Sequence, residues 1–249
     1  MSDIAIVVPA RLASKRFPRK LLHLVQDKPL ILWTAERIAS EVPDIPLHFA
    51  VEDEELFILL EHHGYQPIKT SAEHPSGTDR IAEANEKIQA DYIINVQADE
   101  PLVTASQIET LKKLILDPDI DMATMAAPFS KLDDFRDPDK VKVVFDNQNR
   151  ALYFSRSPIP FARSQRESIE DESLQENTYY WHLGLYAYTA EFINKFRKMP
   201  PGRLEMIERL EQLRALENAC TIAVGITNEP AAGVDVPADI EGFKKRISV

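Results

Sequence analysis

The chain reads as an α/β protein with a mostly parallel central sheet and helices on both faces. Two observations carry that reading. In the first half, short apolar runs alternate with segments whose apolar residues recur three and four apart, the signature of βα units. Beyond about residue 130 the pattern changes to strand-like pieces joined by short polar turns, which predicts an inserted antiparallel region.

Taken in order, "IAIVVPA" is a short, fully buried first strand, and "DKPLILWTAERIAS" a helix with Pro29 in its first turn. "PLHFAV" is the second strand, and "EDEELFILLEHHG" a helix closed by Gly64. "HPSGTDRIAEANEKI" opens the next helix, with Ser76 or Thr78 as its N-cap. "DYIINVQA" is a further buried strand, followed by the helix "TASQIETLKKLIL". In the second half, "MATMAAPF", "KVKVVFD", "RALYFSRSPIPF" and "YYWHLGLYAYT" are strand-like, and "RLEMIERLEQLRALEN" reads as one amphipathic helix. The acidic "ARSQRESIEDESLQENT" between the last two strands reads as a mobile loop.

In open α/β sheets ligands bind outside the carboxyl ends of the strands. "PAR", "AVED" and "QADEP" each follow a strand, so all three are expected to face one crevice. The 249 residues suffice for a sizeable core, and no repeat or long linker divides them. A net charge of −11 argues against nucleic acid as the main partner. One cysteine, Cys220 in the strand-like "ACTIAVGI", excludes an internal disulfide and reads as a structural thiol. Neither a secretory leader nor an apolar run of membrane-spanning length is visible, so a cytoplasmic protein is expected. His62 and His63 are adjacent on a helix and project about 100° apart, so they do not share a metal.

Against that acidic background, "PARLASKRFPRK" concentrates Arg11, Lys15, Arg16, Arg19 and Lys20 in one loop. The chain has no Gly-Lys-Ser/Thr and no G-x-G-x-x-G, so side chains must supply what glycine-rich backbone supplies elsewhere. Arginine grips phosphate oxygens in pairs, and lysine adds a compact point charge. Asp99 and Glu100 close a buried strand in "VQADEP", and Asp235 lies in a turn in "GVDVPADI". Such hard oxygen donors suit Mg²⁺, which takes one or two carboxylates plus substrate phosphates.

These motifs resemble those of the sugar-acid cytidylyltransferases. The loop is similar to their P-A-R-x-x-S-x-R-x-P-G-K at Pro9, Ala10, Arg11, Ser14, Arg16, Pro18 and Lys20, and departs at Arg19, where glycine is usual. "VQADEP" and "GVDVPADI" resemble V-Q-G-D-E-P and G-V-D-T-P-E-D-L of the 3-deoxy-manno-octulosonate (Kdo) cytidylyltransferases, with Ala98 in place of a glycine. Val51 and Glu52 stand where the family has A-T-D. "HPSGTDR", "ALYFSRSPIPF", "HLGLYAY" and "LEQLRAL" match further family segments in order, so the resemblance covers nearly the whole chain.

The resemblance implies a Rossmann-like nucleotidyltransferase fold in one domain. Residues 1–130 and 218–249, approximately, would form the nucleotide core, and about 131–217 the sugar-binding and dimerisation region. It implies transfer of CMP from CTP to an acidic keto-sugar by a Mg²⁺-dependent homodimer. The 8-amino analogue of Kdo, a nonulosonic acid, or a regulator without catalysis are the alternatives. Triphosphate contacts fall on Arg11, Arg16 and Lys20, with Pro9, Ala10 and Ser14 in the same loop. Ser76 and Gly77 lie near the base, and Asp99 and Asp235 are metal ligands. Arg80, Gln97, Arg156, His182, Tyr186, Glu211 and Gln212 face the sugar.

Overall fold

The computed structural model describes residues 3–14, 16–74, 76–163, 174, 178–229 and 233–247. Most of the expected 163–178 loop lies outside them, as does Lys15. The chain divides into two compact units: 1–109 with 187–197 and 231–249, and 110–186 with 198–230.

The first unit is built on β1 (Ile4–Ala10), buried at every position after its first. A strand covered on both faces reads as a continuous apolar run, and β1 is flanked on each edge by a parallel neighbour. β4 (Leu47–Val51) pairs on one side, with Ile6 opposite Leu47, and β6 (Tyr92–Asn95) on the other, with Ile4 opposite Tyr92. β5 (Gln66–Lys69), not expected from the sequence, extends this parallel set beyond β4. A two-stranded hairpin of β2 (Leu24–Val25) and β3 (Lys28–Pro29) was also not anticipated. It displaces Pro29 from the first turn of the following helix, which begins at Leu30.

That helix, Leu30–Glu41, buries Leu30, Ile31, Thr34, Ala35 and Ile38, the three-and-four spacing of one apolar face. The helix Glu54–His62 turns Leu56 and Leu60 inward and ends before Gly64, whose φ of +81° is the left-handed stop that glycine provides. The helix Gly77–Ile88 is capped by Ser76, whose Oγ accepts from the Asp79 N–H at 3.2 Å. The C-terminal helix, Asp239–Ile247, packs Ile240 and Phe243 into a cluster with Val25, Leu30 and Val234. Phe17, from the basic loop, joins that cluster, so the loop rests on a folded base.

In the second unit β7 (Met122–Pro128) pairs in parallel with β11 (Ile222–Ile226). Gly225 of β11 lets the backbone pass Met125 and Thr110; a Cβ there would meet each at 2.7 Å. β8 (Lys142–Phe145) pairs antiparallel with β9 (Ala151–Ser155) and with β10 (Tyr180–Thr189), which forms the expected antiparallel region.

The single helix expected over residues 203–218 is two helices, Arg203–Glu208 and Gln212–Glu217, separated at Arg209 with φ +57°. The cause is a set of contacts that a straight helix forbids. Arg214 Nε donates to Glu205 at 2.8 Å, and Glu217 accepts from the Leu204 N–H at 3.0 Å. In one continuous helix residues 205 and 214 would stand about 13 Å apart along the axis. The fold-back also buries Gln212. None of the helices among the described residues is long and apolar enough to cross a membrane.

Candidate active site

At the carboxyl end of β1 and β6 the first unit holds a cavity of about 650 Å³. Pro9, Ala10, Arg11, Ser14, Arg16 and Lys20 line it from the basic loop, and Gln97, Ala98 and Asp99 from the segment after β6. Ser76, Gly77 and Arg80 come from the start of a helix, and Asp235 from the C-terminal turn. Twelve of the residues singled out in the sequence therefore share one cavity of ligand size.

Each wall is held from behind. The Leu12 N–H donates to Asp53 Oδ2 at 2.8 Å, which fixes the loop just after Arg11. Thr34 Oγ1 donates to the Ala98 carbonyl at 2.9 Å, holding the turn before Asp99. The Val234 N–H donates to the Asp99 carbonyl at 2.9 Å, and Asp239 accepts from the backbone N–H groups of Asp235 and Val236 at 2.8 and 2.9 Å. The two aspartates thus come together although 136 positions apart (235 − 99).

Between them sits Lys20. Its ammonium donates to Asp99 Oδ2 in a short contact and to Asp235 Oδ1 at 3.1 Å, with 13% of the side chain exposed. Burial lowers the lysine pKa, but the charge and hydrogen bond of Asp99, joined by Asp235, outweigh it and hold the group above its ordinary value. Arg16, 54% exposed, reaches Asp235 Oδ1 at 3.0 Å. Glu100 is half-buried, and desolvation together with the charges of Asp99 and Asp235 pushes its carboxyl well above the usual range. Its Oε2 has no hydrogen-bond partner among the described residues.

Two expectations are corrected here. The "AVED" turn does not line the cavity; it supports it, Asp53 through Leu12 and Glu52 through Arg80. Arg80, only 2% exposed, pairs closely with Glu52 and donates to Thr70 Oγ1 at 3.0 Å and the Ser71 carbonyl at 3.4 Å. Arg19 does not join the cationic lining. It adopts φ +56°, the left-handed conformation that a glycine at this place favours, and its guanidinium grips Glu55 with contacts of 2.7 and 2.6 Å.

The other residues assigned to the sugar belong to the second unit. Arg156 Nε donates to the Glu208 carbonyl at 2.8 Å, and its Nη1 to Pro138 O at 3.0 Å. The Glu208 carboxylate accepts from the Arg156 N–H at 3.0 Å and from Ser155 Oγ at 2.7 Å. His182 is buried against Phe154 and Tyr186, with Nε2 3.0 Å from Thr124 Oγ1; burial lowers its pKa to about 3. Since Thr124 donates its one proton to the Leu185 carbonyl at 2.8 Å, Nε2–H is the donor to Thr124. Glu211 immediately precedes the helix Gln212–Glu217, and Gln212 Nε2 is buried without a hydrogen-bond partner among the described residues. Sequence reasoning missed Glu208 and the fully buried Lys142, whose ammonium donates to the carbonyls of Asp137 and Arg156 at 2.7 and 2.9 Å. A lysine inside the strand pattern "KVKVVFD" was the available signal.

A parallel sheet whose carboxyl edge presents cationic side chains beside paired carboxylates defines a nucleotide-handling α/β enzyme. Residues 5–222 match the Cytidylyltransferase family model, and the chain belongs to that family: it is a nucleotidyltransferase. It is 42% identical to the 3-deoxy-manno-octulosonate cytidylyltransferase of Geobacter sulfurreducens over 98% of this chain and 99% of that protein. The protein of the same name from Thermodesulfovibrio yellowstonii is also 42% identical, with 96% of each chain covered. A solved structure of CMP:2-keto-3-deoxy-manno-octonic acid synthetase in complex with CTP superposes with a TM-score of 0.89. The two are 33% identical, and 99% of each chain is covered.

Proposed function

We propose that the chain transfers CMP from CTP to the anomeric hydroxyl of 3-deoxy-manno-octulosonate, releasing pyrophosphate. The observation that carries the site assignment is the convergence of Asp99 and Asp235 on the Lys20 ammonium inside a cavity also lined by Arg11 and Arg16. The names of the relatives support this sugar over its 8-amino analogue.

The anomeric oxygen attacks the α-phosphorus in line. The bond between the α-phosphorus and the oxygen bridging to the β-phosphate breaks with its electrons leaving on pyrophosphate, and the hydroxyl proton passes to solvent. Both substrates are anions, so positioning and charge neutralisation carry most of the catalysis. Arg11, Arg16 and Lys20 hold the triphosphate and take up the charge of the departing pyrophosphate. Pro9, Ala10, Ser14, Ser76 and Gly77 shape the nucleotide side. In the first unit Arg80 and Gln97 are assigned to the sugar acid; in the second, Arg156, His182, Tyr186, Glu211 and Gln212 carry the same assignment from the family resemblance alone. Gln97 is oriented by donating to Asn95 Oδ1 at 3.0 Å.

The carboxylates fit a divalent cation: two hard oxygens, one from each aspartate, already face a single positive atom. Asp99 and Asp235 would hold Mg²⁺, which supplies charge neutralisation to the phosphates and the attacking hydroxyl. A homodimer accompanies this reading, supported by Leu152, Phe161 and Ile207 exposed on the second unit. So does a cytoplasmic location, since CTP is a cytosolic nucleotide.

Pyrophosphate release from CTP and Mg²⁺ with a panel of acid sugars tests the reading. Kdo should be used best, and a strong preference for the 8-amino sugar or a nonulosonic acid overturns the substrate. Asp99→Asn should lower turnover by at least about 10²-fold with the fold intact; near-normal turnover removes the metal role.

A further inference from the structure

The backbone turns that carry the two carboxylates of the cavity are tied together. The Val234 N–H is bonded to the Asp99 carbonyl at 2.9 Å, and Asp239 ties down the backbone of Asp235, so the turns are joined through the main chain. Next to Asp99 in the chain, half-buried Glu100 has a buried oxygen, Oε2, that lacks a partner among the described residues. With the turns so joined, a cation between Asp99 and Asp235 offsets the mutual repulsion of their carboxylates. Lys20 Nζ is that cation, in contact with one oxygen of each. The more exposed Arg16 touches Asp235 from outside.

An ammonium in this place and a divalent ion exclude one another. Mg²⁺ needs its ligand oxygens about 2.0–2.1 Å away, and Nζ occupies that approach with like charge. We propose that Lys20 is a resident cation that keeps the divalent-metal seat closed until the triphosphate of the nucleotide draws its ammonium away. Its flexible four-carbon stem and single point charge suit this exchange, which a planar guanidinium could not make as readily. Metal loading is then coupled to nucleotide binding, and the free enzyme is guarded against taking up a divalent ion alone. The proposal rests on Asp99 and Asp235 being the metal ligands.

The test uses Mn²⁺ as the probe on the full chain, with free Mn²⁺ read by electron paramagnetic resonance. Without nucleotide, Lys20→Met should bind Mn²⁺ at least about tenfold more tightly than the wild type, ~1.4 kcal/mol. Asp99→Asn in that background should abolish the gain. Mn²⁺ alone should also raise the melting temperature of Lys20→Met and leave that of the wild type unmoved. This readout works even for a destabilised variant, and Lys20→Gln provides a second neutral side chain. A lysine with only a structural role would shift the melting temperature without altering its response to Mn²⁺. Equal Mn²⁺ affinity in wild type, Met and Gln variants, with Asp99→Asn still inactive, overturns the proposal and leaves the metal site standing. Unchanged Mn²⁺ binding and turnover in Asp99→Asn overturns both.

Discussion

Removing Glu52 isolates the least visible part of the site. Its partner Arg80 is 2% exposed and lines the cavity, so Glu52 is the carboxylate that balances a buried guanidinium. Breaking a buried ion pair by deleting one partner costs about 3–5 kcal/mol, because the other charge remains buried. Here Thr70 Oγ1 and the Ser71 carbonyl still accept from Arg80 and the cavity admits water, which places Glu52→Ala nearer ~2–3 kcal/mol. Glu52→Gln keeps the shape and one acceptor, and should cost about 1–2 kcal/mol. Urea denaturation reads both: the midpoint should move by roughly 1 M for the alanine variant and by less for glutamine, with the slope unchanged. In steady-state kinetics the KM for the sugar acid should rise while that for CTP holds. A midpoint within about 0.2 M of wild type for Glu52→Ala would refute the reasoning, since Arg80 would then be satisfied without its carboxylate.

The other predictions follow from single contacts. Arg16→Ala should raise the KM for CTP about tenfold, the loss of one half-exposed charge-assisted contact; an unchanged value would move the triphosphate elsewhere. Arg19→Gly should leave the CTP KM unchanged, because that guanidinium is held by Glu55. It should alter stability by less than about 1 kcal/mol, since relief of the left-handed backbone offsets a surface pair and added chain freedom. A weakened CTP affinity there would return Arg19 to the triphosphate. For His182, burial lowers the folded pKa to about 3 from 6.5. Below pH 6.5 the unfolded chain binds a proton that the folded chain refuses. The contribution is intact above that pH and falls by ~1.4 kcal/mol per unit down to about pH 3. His182→Asn should flatten the stability profile in that window, and an unaltered slope would show that His182 is not the buried neutral group.

What the sequence made legible was whatever depends on a local pattern. The apolar runs of β1 and β6 identify themselves because a strand covered on both faces tolerates little else. The cationic loop and the two aspartate motifs were readable from residue type and placement after strands, and they do meet in one cavity. What escaped depends on partners far away in the chain. Periodicity over 203–218 predicts one helix and is blind to the Arg214–Glu205 pair that folds it in two. Nothing local in "AVED" says that its carboxylates turn toward Leu12 and Arg80 instead of the crevice. The short strands β2, β3 and β5 have too few residues to display a period.

The cluster of cations in "PARLASKRFPRK", in a chain of net charge −11, has a different physical content in the folded protein. The loop is not a free basic patch. Arg19 is held by Glu55, Arg16 by Asp235, and Lys20 by Asp99 and Asp235, so three of the loop's cations are already engaged by carboxylates. A polyanion arriving there cannot simply add to an unpaired positive field; it must compete for cations already engaged. That competition is uphill unless the released aspartates acquire another positive partner, because two tethered carboxylates facing a triphosphate repel both each other and the ligand. On the exchange proposed for Lys20, nucleotide affinity and divalent-ion affinity at this site are linked, each raising the other by the same factor. In that proposal the two local carboxylates, Asp99 and Asp235, impose the linkage.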